Sequence, residues 1–134
     1  MAKAKLRHIA LSVPDPEKSA KFYCEAFGLE VVGQANSASA TGVYLSDGTV
    51  SLTLLRYRTD APAGERGRDF VGLHHMGFMC DDLDAQSRAV EASGATLFQD
   101  VPAGKTTEYY EKKYQDPDGI IFDITHSGWK GAKP

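Results

Sequence analysis

The chain repeats itself once. Leu6-x-His8 recurs as Leu73-x-His75, and Pro14-Asp15 recurs as Asp81-Asp82, at one common offset of 67 residues (75 − 8). A helical pattern follows each motif and stops at a glycine, Gly28 in the first copy and Gly94 in the second. Two copies of one unit, each too small to bury its own apolar face, imply a pseudo-symmetric pair around a common core. The order of elements inside one copy therefore decides the fold.

In the first copy, Leu6–Val13 alternates apolar and polar residues, the period of a half-buried strand. Pro14-Asp15-Pro16 breaks it. Asp15 or Ser19 is placed to cap a helix running to Phe27, with Gly28 as its C-terminal glycine. Leu29–Gly33, Gly42–Leu45 and Val50–Tyr57 read as strands, the last two joined at Ser46-Asp47-Gly48. Arg58–Asp69 is polar and rich in Gly and Pro, the natural joint.

The second copy starts with a strand over Leu73–Cys80. Asp81-Asp82 precedes a helix, Leu83–Ser93, and Ala95–Gln99 is a strand. Pro102–Thr107 is a loop. Glu108–Gln115 and Ile120–Thr125 form a hairpin about Asp116-Pro117-Asp118-Gly119. The tail, Ser127–Pro134, is expected to fray, with Trp129 the residue placed to dock.

Each half thus reads strand, helix, three strands. The expected fold is α+β: two tandem βαβββ modules forming a cupped, mostly antiparallel sheet with helices on its outer face. Module one covers about 6–57, the joint 58–72, module two about 73–125 and the tail 126–134. At 134 residues this is one domain.

Composition removes several function classes. The net charge is −3 and no basic stripe is visible, which speaks against nucleic acid as partner. Arg56, Arg58, Arg66 and Arg68 share their loop with Asp60, Glu65 and Asp69, the pattern of a solvated segment. No apolar run approaches the ~18 residues of a membrane span. The first residues lack the apolar stretch of a secretory signal. Two cysteines, Cys24 and Cys80, make no disulfide framework, so a reducing, cytoplasmic setting is expected.

Strand alternation then sorts faces. Ile9, Leu11 and Val13 share one face, as do Met76, Phe78 and Cys80, and Ile120, Phe122 and Ile124. All three sets are apolar and await the helices. His8, His75 and Asp123 therefore lie on the uncovered faces of three different strands. A lone strand histidine is more often a surface or core residue than a ligand. Here two histidines in repeat phase and a matching carboxylate converge if the strands curl. Two imidazoles and one carboxylate leave positions open, as a catalytic metal needs. By the same alternation, His74 faces the core or helix and is structural, and His126 is structural or part of the tail.

The two-half layout, the histidine early in each half and the Asp116–Gly119 turn before an acidic strand resemble the vicinal-oxygen-chelate superfamily. That superfamily includes glyoxalase I, extradiol dioxygenases, methylmalonyl-CoA epimerases, fosfomycin-resistance transferases and bleomycin-binding proteins. The resemblance runs from Leu6 to Thr125. It implies a divalent metal (Zn, Ni, Mn, Co or Fe) held by His8, His75 and Asp123, where the family more often has glutamate in the last position. It also implies a small oxygen-rich substrate and a homodimer.

A fourth ligand is common in glyoxalase I and the epimerases on the last strand of the first half. Thr53 is the counterpart here, with Ser51 next on the same face, and neither is a strong donor. The extradiol branch carries a tyrosine three residues before the Asp-Pro turn, where this chain has Lys113. Bleomycin-binding relatives lack the ligands this chain keeps.

The expected activity is that of a lyase or isomerase stabilising an enediolate. An Fe(II) dioxygenase is the enzymatic alternative, and a metal-free binding protein the non-enzymatic one. No general base is identified. Tyr109, Tyr110 and Tyr114 lie near the groove, with sheet packing an equal reading. Thr53 and Tyr110 are the candidates for substrate contact.

Overall fold

The computed structural model of the chain describes residues 3–101 and 111–134. Eight strands form one open mixed sheet, in the order β2-β3-β4-β1-β5-β8-β7-β6. The strands are β1 (Lys5–Ser12), β2 (Glu30–Asn36), β3 (Ala40–Ser46), β4 (Ser51–Tyr57), β5 (Gly72–Met79), β6 (Thr96–Val101), β7 (Glu111–Gln115) and β8 (Ile121–Thr125). Outward from the centre, the first half reads β1-β4-β3-β2 and the second β5-β8-β7-β6, the same order twice. Two pairings are parallel, β1 with β4 and β5 with β8, and the other five are antiparallel.

The helices are α1 (Pro16–Phe27), α2 (Asp60–Ala63) and α3 (Leu83–Ala92). Asp15 caps α1 by accepting from the Lys18 amide, and a proline opens the first turn. The helix therefore starts three residues before Ser19. Gly28, at φ 72°, closes it in the left-handed conformation that favours glycine. Asp82 caps α3 in the same way through the Ala85 amide. No helix among the described residues is long and apolar enough to cross a membrane.

Each long helix covers its own half. Val13, Ala20, Val43, Leu45 and Leu54 are buried under α1, and Cys80, Leu83, Tyr114, Phe122 and Ile124 under α3. Because α1 packs on β3 and β4, and α3 on β8, the central strands β1 and β5 lie at the seam between the helices. Ile9, Leu11, Met76 and Phe78 are consequently half-buried on the helix side, and Leu11, Met76 and Phe78 pack against these two clusters, as alternation expects. Ile120 is exposed, one residue before β8 begins. On β1 the better-buried residues are His8, Ala10 and Ser12, on the opposite face.

At His8 that burial comes from the tail, whose Trp129 ring stacks on the imidazole; the tail does not fray. From β8 it runs back over the sheet face that carries His8 to the first half. Ser46 Oγ donates to the Gly131 carbonyl at 2.8 Å, the Lys133 amide to Thr49 O at 2.9 Å, and Arg7 Nε to Lys133 O at 2.9 Å. Trp129 is buried.

The central β1–β5 pairing contains two register slips. The antiparallel register advances by one residue across Arg7 on β1, and again across His74 on β5. These residues are themselves 67 apart, and each immediately precedes the repeated histidine. A β-bulge re-aims the side chains around it, so simple alternation fails at these two points.

Candidate metal centre

His8, His75 and Asp123 come from the adjacent strands β1, β5 and β8, and their donor atoms lie within 4.8 Å of one another. His8 Nε2 is 3.3 Å from His75 Nε2 and 3.6 Å from Asp123 Oδ2, and His75 Nε2 is 3.2 Å from the same oxygen. All three side chains are buried. Their convergence shows that the sheet curls, since flat neighbouring strands would hold such groups apart.

Burial, reinforced by the His75 ring, lowers the pKa of His8 from 6.5 to about 3. Burial and then the Lys113 charge lower His75 well below its ordinary value. Both rings are therefore neutral, and their contacts with Asp123 are not ion pairs. His8 Nδ1 lies 3.4 Å from Thr53 Oγ1, and its proton can go to that hydroxyl. With a proton there, His8 Nε2 bears only a lone pair. Asp123 Oδ2 is buried with no hydrogen-bond partner among the described residues. Electron-rich atoms thus face one another with a shortage of protons between them. A buried acceptor left in this way costs about 1–3 kcal/mol, and a divalent cation is the partner such a donor set suits. The residues present fit a metal.

The other Asp123 oxygen is engaged. Lys113 Nζ donates to Asp123 Oδ1 at 2.8 Å and lies 3.6 Å from Glu111 Oε1. Burial opposes the lysine charge, but the two carboxylates outweigh it and its pKa is raised. Glu111 is held in turn by Trp129, whose Nε1 donates to Oε2 at 3.2 Å. The Trp129 ring stacks on His8, with 4.7 Å between centroids and 13° between planes. It occupies the space above Gly77, where a Cβ would come within 2.6 Å of the indole and 3.0 Å of His8 Cβ.

His74 lies against the small core of Ala40, Tyr57 and Ala63 beside α2, as alternation expects, but it also reaches the site. The slip at this residue brings its Nδ1 to 2.8 Å from His75 Nδ1, while its Nε2 reaches the Ala63 carbonyl at the end of α2. Tyr57 OH lies 3.3 Å from the same Nδ1, and burial pushes that phenol up to about 12. Thr53 is buried behind His8, its hydroxyl on the outer ring nitrogen. Tyr114 belongs to the packing under α3: its OH donates to Glu91 and its ring stacks on Phe122. Tyr109 and Tyr110 lie outside the described residues. His126 is exposed just beyond β8.

Four residues at the site were not singled out as functional from sequence: His74, Glu111, Lys113 and Trp129. For Lys113 a signal existed, because a hairpin at Asp116–Gly119 pairs it with Asp123 across the ladder. For Trp129 there was only its aromatic character.

The sequence model of the Glyoxalase/Bleomycin resistance protein/Dioxygenase superfamily matches residues 5–124. No curated protein matches significantly by sequence. Among solved structures, a variant of methylmalonyl-CoA epimerase from Streptomyces coelicolor, in complex with 2-nitronate-propionyl-CoA, superposes with a TM-score of 0.73 at 19% identity, covering 92% of this chain and 96% of that one. The hypothetical protein BH1468 from Bacillus halodurans gives 0.75 at 16% identity, covering 92% and 94%. A mutant of 4-hydroxymandelate synthase, also from Streptomyces coelicolor, gives 0.75 at 16% identity, where 98% of this chain spans 41% of the larger enzyme. At these identities the likeness is one of fold.

Proposed function

The chain belongs to the glyoxalase/bleomycin resistance/dioxygenase superfamily, and from that premise we propose that it is a metal-dependent enzyme of the lyase or isomerase type acting on a small, oxygen-rich metabolite. The observation that carries the reading is the convergence of the His8, His75 and Asp123 donor atoms in one buried cluster, with Asp123 Oδ2 without a hydrogen-bond partner among the described residues. His8, His75 and Asp123 would hold a divalent metal. When bound, it supplies Lewis-acid polarisation of a carbonyl or hydroxy-carbonyl pair.

The chain's own groups do the rest. Thr53 and His74 hold the outer nitrogens of the two imidazoles. Lys113 neutralises and orients the Asp123 carboxylate, keeping its proton on Nζ. Trp129 and the tail exclude water from the His8 side of the site, which strengthens every electrostatic contact inside it. Tyr110 stays a candidate for substrate contact.

A second reading, an Fe(II) dioxygenase, is favoured by one feature. The Thr53 hydroxyl is engaged by His8 Nδ1 and no other protein donor among the described residues joins the three, a set of two histidines and one carboxylate that suits oxygen activation.

The test is metal analysis of protein purified without chelator. Near-stoichiometric metal, lost in His75→Ala, is the expected result. Metal-free wild type that also fails to take up zinc, nickel, manganese, cobalt or iron would sink the enzyme reading in favour of a metal-free binding protein. Iron with substrate-dependent oxygen uptake would favour the dioxygenase.

The reading extends to a homodimer. It is supported by the edge strands β2 and β6, which carry exposed Val31 and Leu97. A monomeric mass by light scattering would refute it. Two unpaired thiols, Cys24 and Cys80, support a reducing, cytoplasmic setting, which fractionation of the source cells would check.

A further inference from the structure

We propose that His74 is a positioning residue that sets the tautomer of His75 through a proton relay anchored on α2. This deepens the metal reading and rests on it for its purpose, though the tautomer itself can be read without metal.

Donors and acceptors fix where the protons sit. The Ala63 carbonyl only accepts, so the ring nitrogen facing it, His74 Nε2, carries a proton. Burial disfavours a charged ring here, so His74 is neutral and its Nδ1 is bare. That nitrogen lies 2.8 Å from His75 Nδ1, and two bare nitrogens do not approach so closely. His75 Nδ1 therefore carries the proton and donates it to His74. His75 Nε2 is left as a lone pair, aimed at His8 Nε2 and Asp123 Oδ2. The Tyr57 hydroxyl, 3.3 Å from His74 Nδ1, fits the same assignment as a second donor.

A ring nitrogen binds metal only when its proton sits on the other nitrogen, and outer partners of ligand histidines commonly enforce this. In this protein the enforcing group precedes its ligand by one residue. That is possible because the register slips at His74, which brings its ring alongside its neighbour's.

The first half solves the same problem differently. The slip at Arg7 occupies the equivalent place 67 residues earlier, but Arg7 reaches the tail carbonyl of Lys133. There the Nδ1 of His8 finds the Thr53 hydroxyl instead. Two copies of one unit thus carry the same backbone irregularity, and only the second uses it to orient a ligand. The relay also ties the site to α2, within the joint between the halves.

The experiment is long-range ¹H–¹⁵N correlation of histidine rings in metal-free protein, with the four histidines assigned by single substitutions, alongside zinc titration. In wild type, His75 is expected to carry its proton on Nδ1. In His74→Phe, which keeps an aromatic ring but accepts nothing, that signature should disappear and the zinc dissociation constant rise by about 10–100-fold. His74→Gln, which can accept from His75 and donate to Ala63, should recover part of both.

A wild-type spectrum with the His75 proton on Nε2 overturns the proposal even if no variant folds. So does a folded His74→Phe protein with wild-type zinc affinity and an unchanged His75 spectrum. Wild type that shows the Nδ1 proton but binds no metal overturns the metal reading instead, and leaves the relay without a ligand to serve.

Discussion

Asp123 divides its two oxygens between different partners. Oδ1 takes the Lys113 ammonium at 2.8 Å, while Oδ2 faces two neutral imidazoles. Replacing Lys113 by Met would leave a buried carboxylate with no cation, which costs about 3–5 kcal/mol when one partner of a buried pair is removed. Urea denaturation of metal-free Lys113→Met should show a loss of that order, with part of it restored by zinc. Wild-type stability in the absence of metal would mean that the lysine does not hold the carboxylate.

The histidines give a pH dependence. His8 titrates near 3 in the folded chain against 6.5 for the free residue, and burial lowers His74 and His75 as well. Below pH 6.5 the unfolded chain takes up protons that the folded chain refuses. Stability supplied by the neutral rings is therefore present above 6.5 and lost as pH falls towards 3. The urea midpoint of metal-free protein should drop between pH 7.5 and pH 5. An unchanged midpoint would show the rings to be open to water.

At the scale of elements, the features legible in the sequence were those that obey a period. The caps Asp15 and Asp82, the terminal Gly28, the turn at Asp116–Gly119 and the grouping of His8, His75 and Asp123 all came from alternation and spacing. The illegible features came from breaks in the period and from contacts across the fold. The slip at His74 also brings that ring beside His75, a contact that strict alternation does not give. The tail has no period, and its place is fixed by distant partners such as Ser46 and Thr49.

Gly77 and Trp129 form one such long-range pair. A Cβ at residue 77 would stand 2.6 Å from the indole, so Gly77→Ala should cost about 1–3 kcal/mol by overpacking. Trp129→Ala alone should cost about 3–5 kcal/mol, as for other buried tryptophans. Together they should cost less than their sum, because the added methyl then enters a vacated space. Strict additivity in denaturant midpoints would show that the two do not share that space.

For the whole molecule, the central fact is that β1 and β5 pair within one chain. His8 and its partners on β5 and β8 therefore belong to the same polypeptide. A superfamily site can also be imagined with halves exchanged between subunits, and the two cases separate cleanly. Co-refolding His8→Ala with His75→Ala protein should restore no zinc binding. Restored binding, at about a quarter of the sites for random pairing, would show exchanged halves.

Trp129 is the single tryptophan of the chain, and it lies flat against a candidate ligand ring. The protein's tryptophan emission, excited where the six tyrosines do not absorb, is thus not an average over the fold but a report from one place. Ions with open d shells, such as copper, cobalt or nickel, would quench it from within the site, whereas closed-shell zinc would mainly shift it. Loading, loss and exchange of the ion could be followed in real time with no added dye, and open-shell ions told from zinc by the decay of one indole.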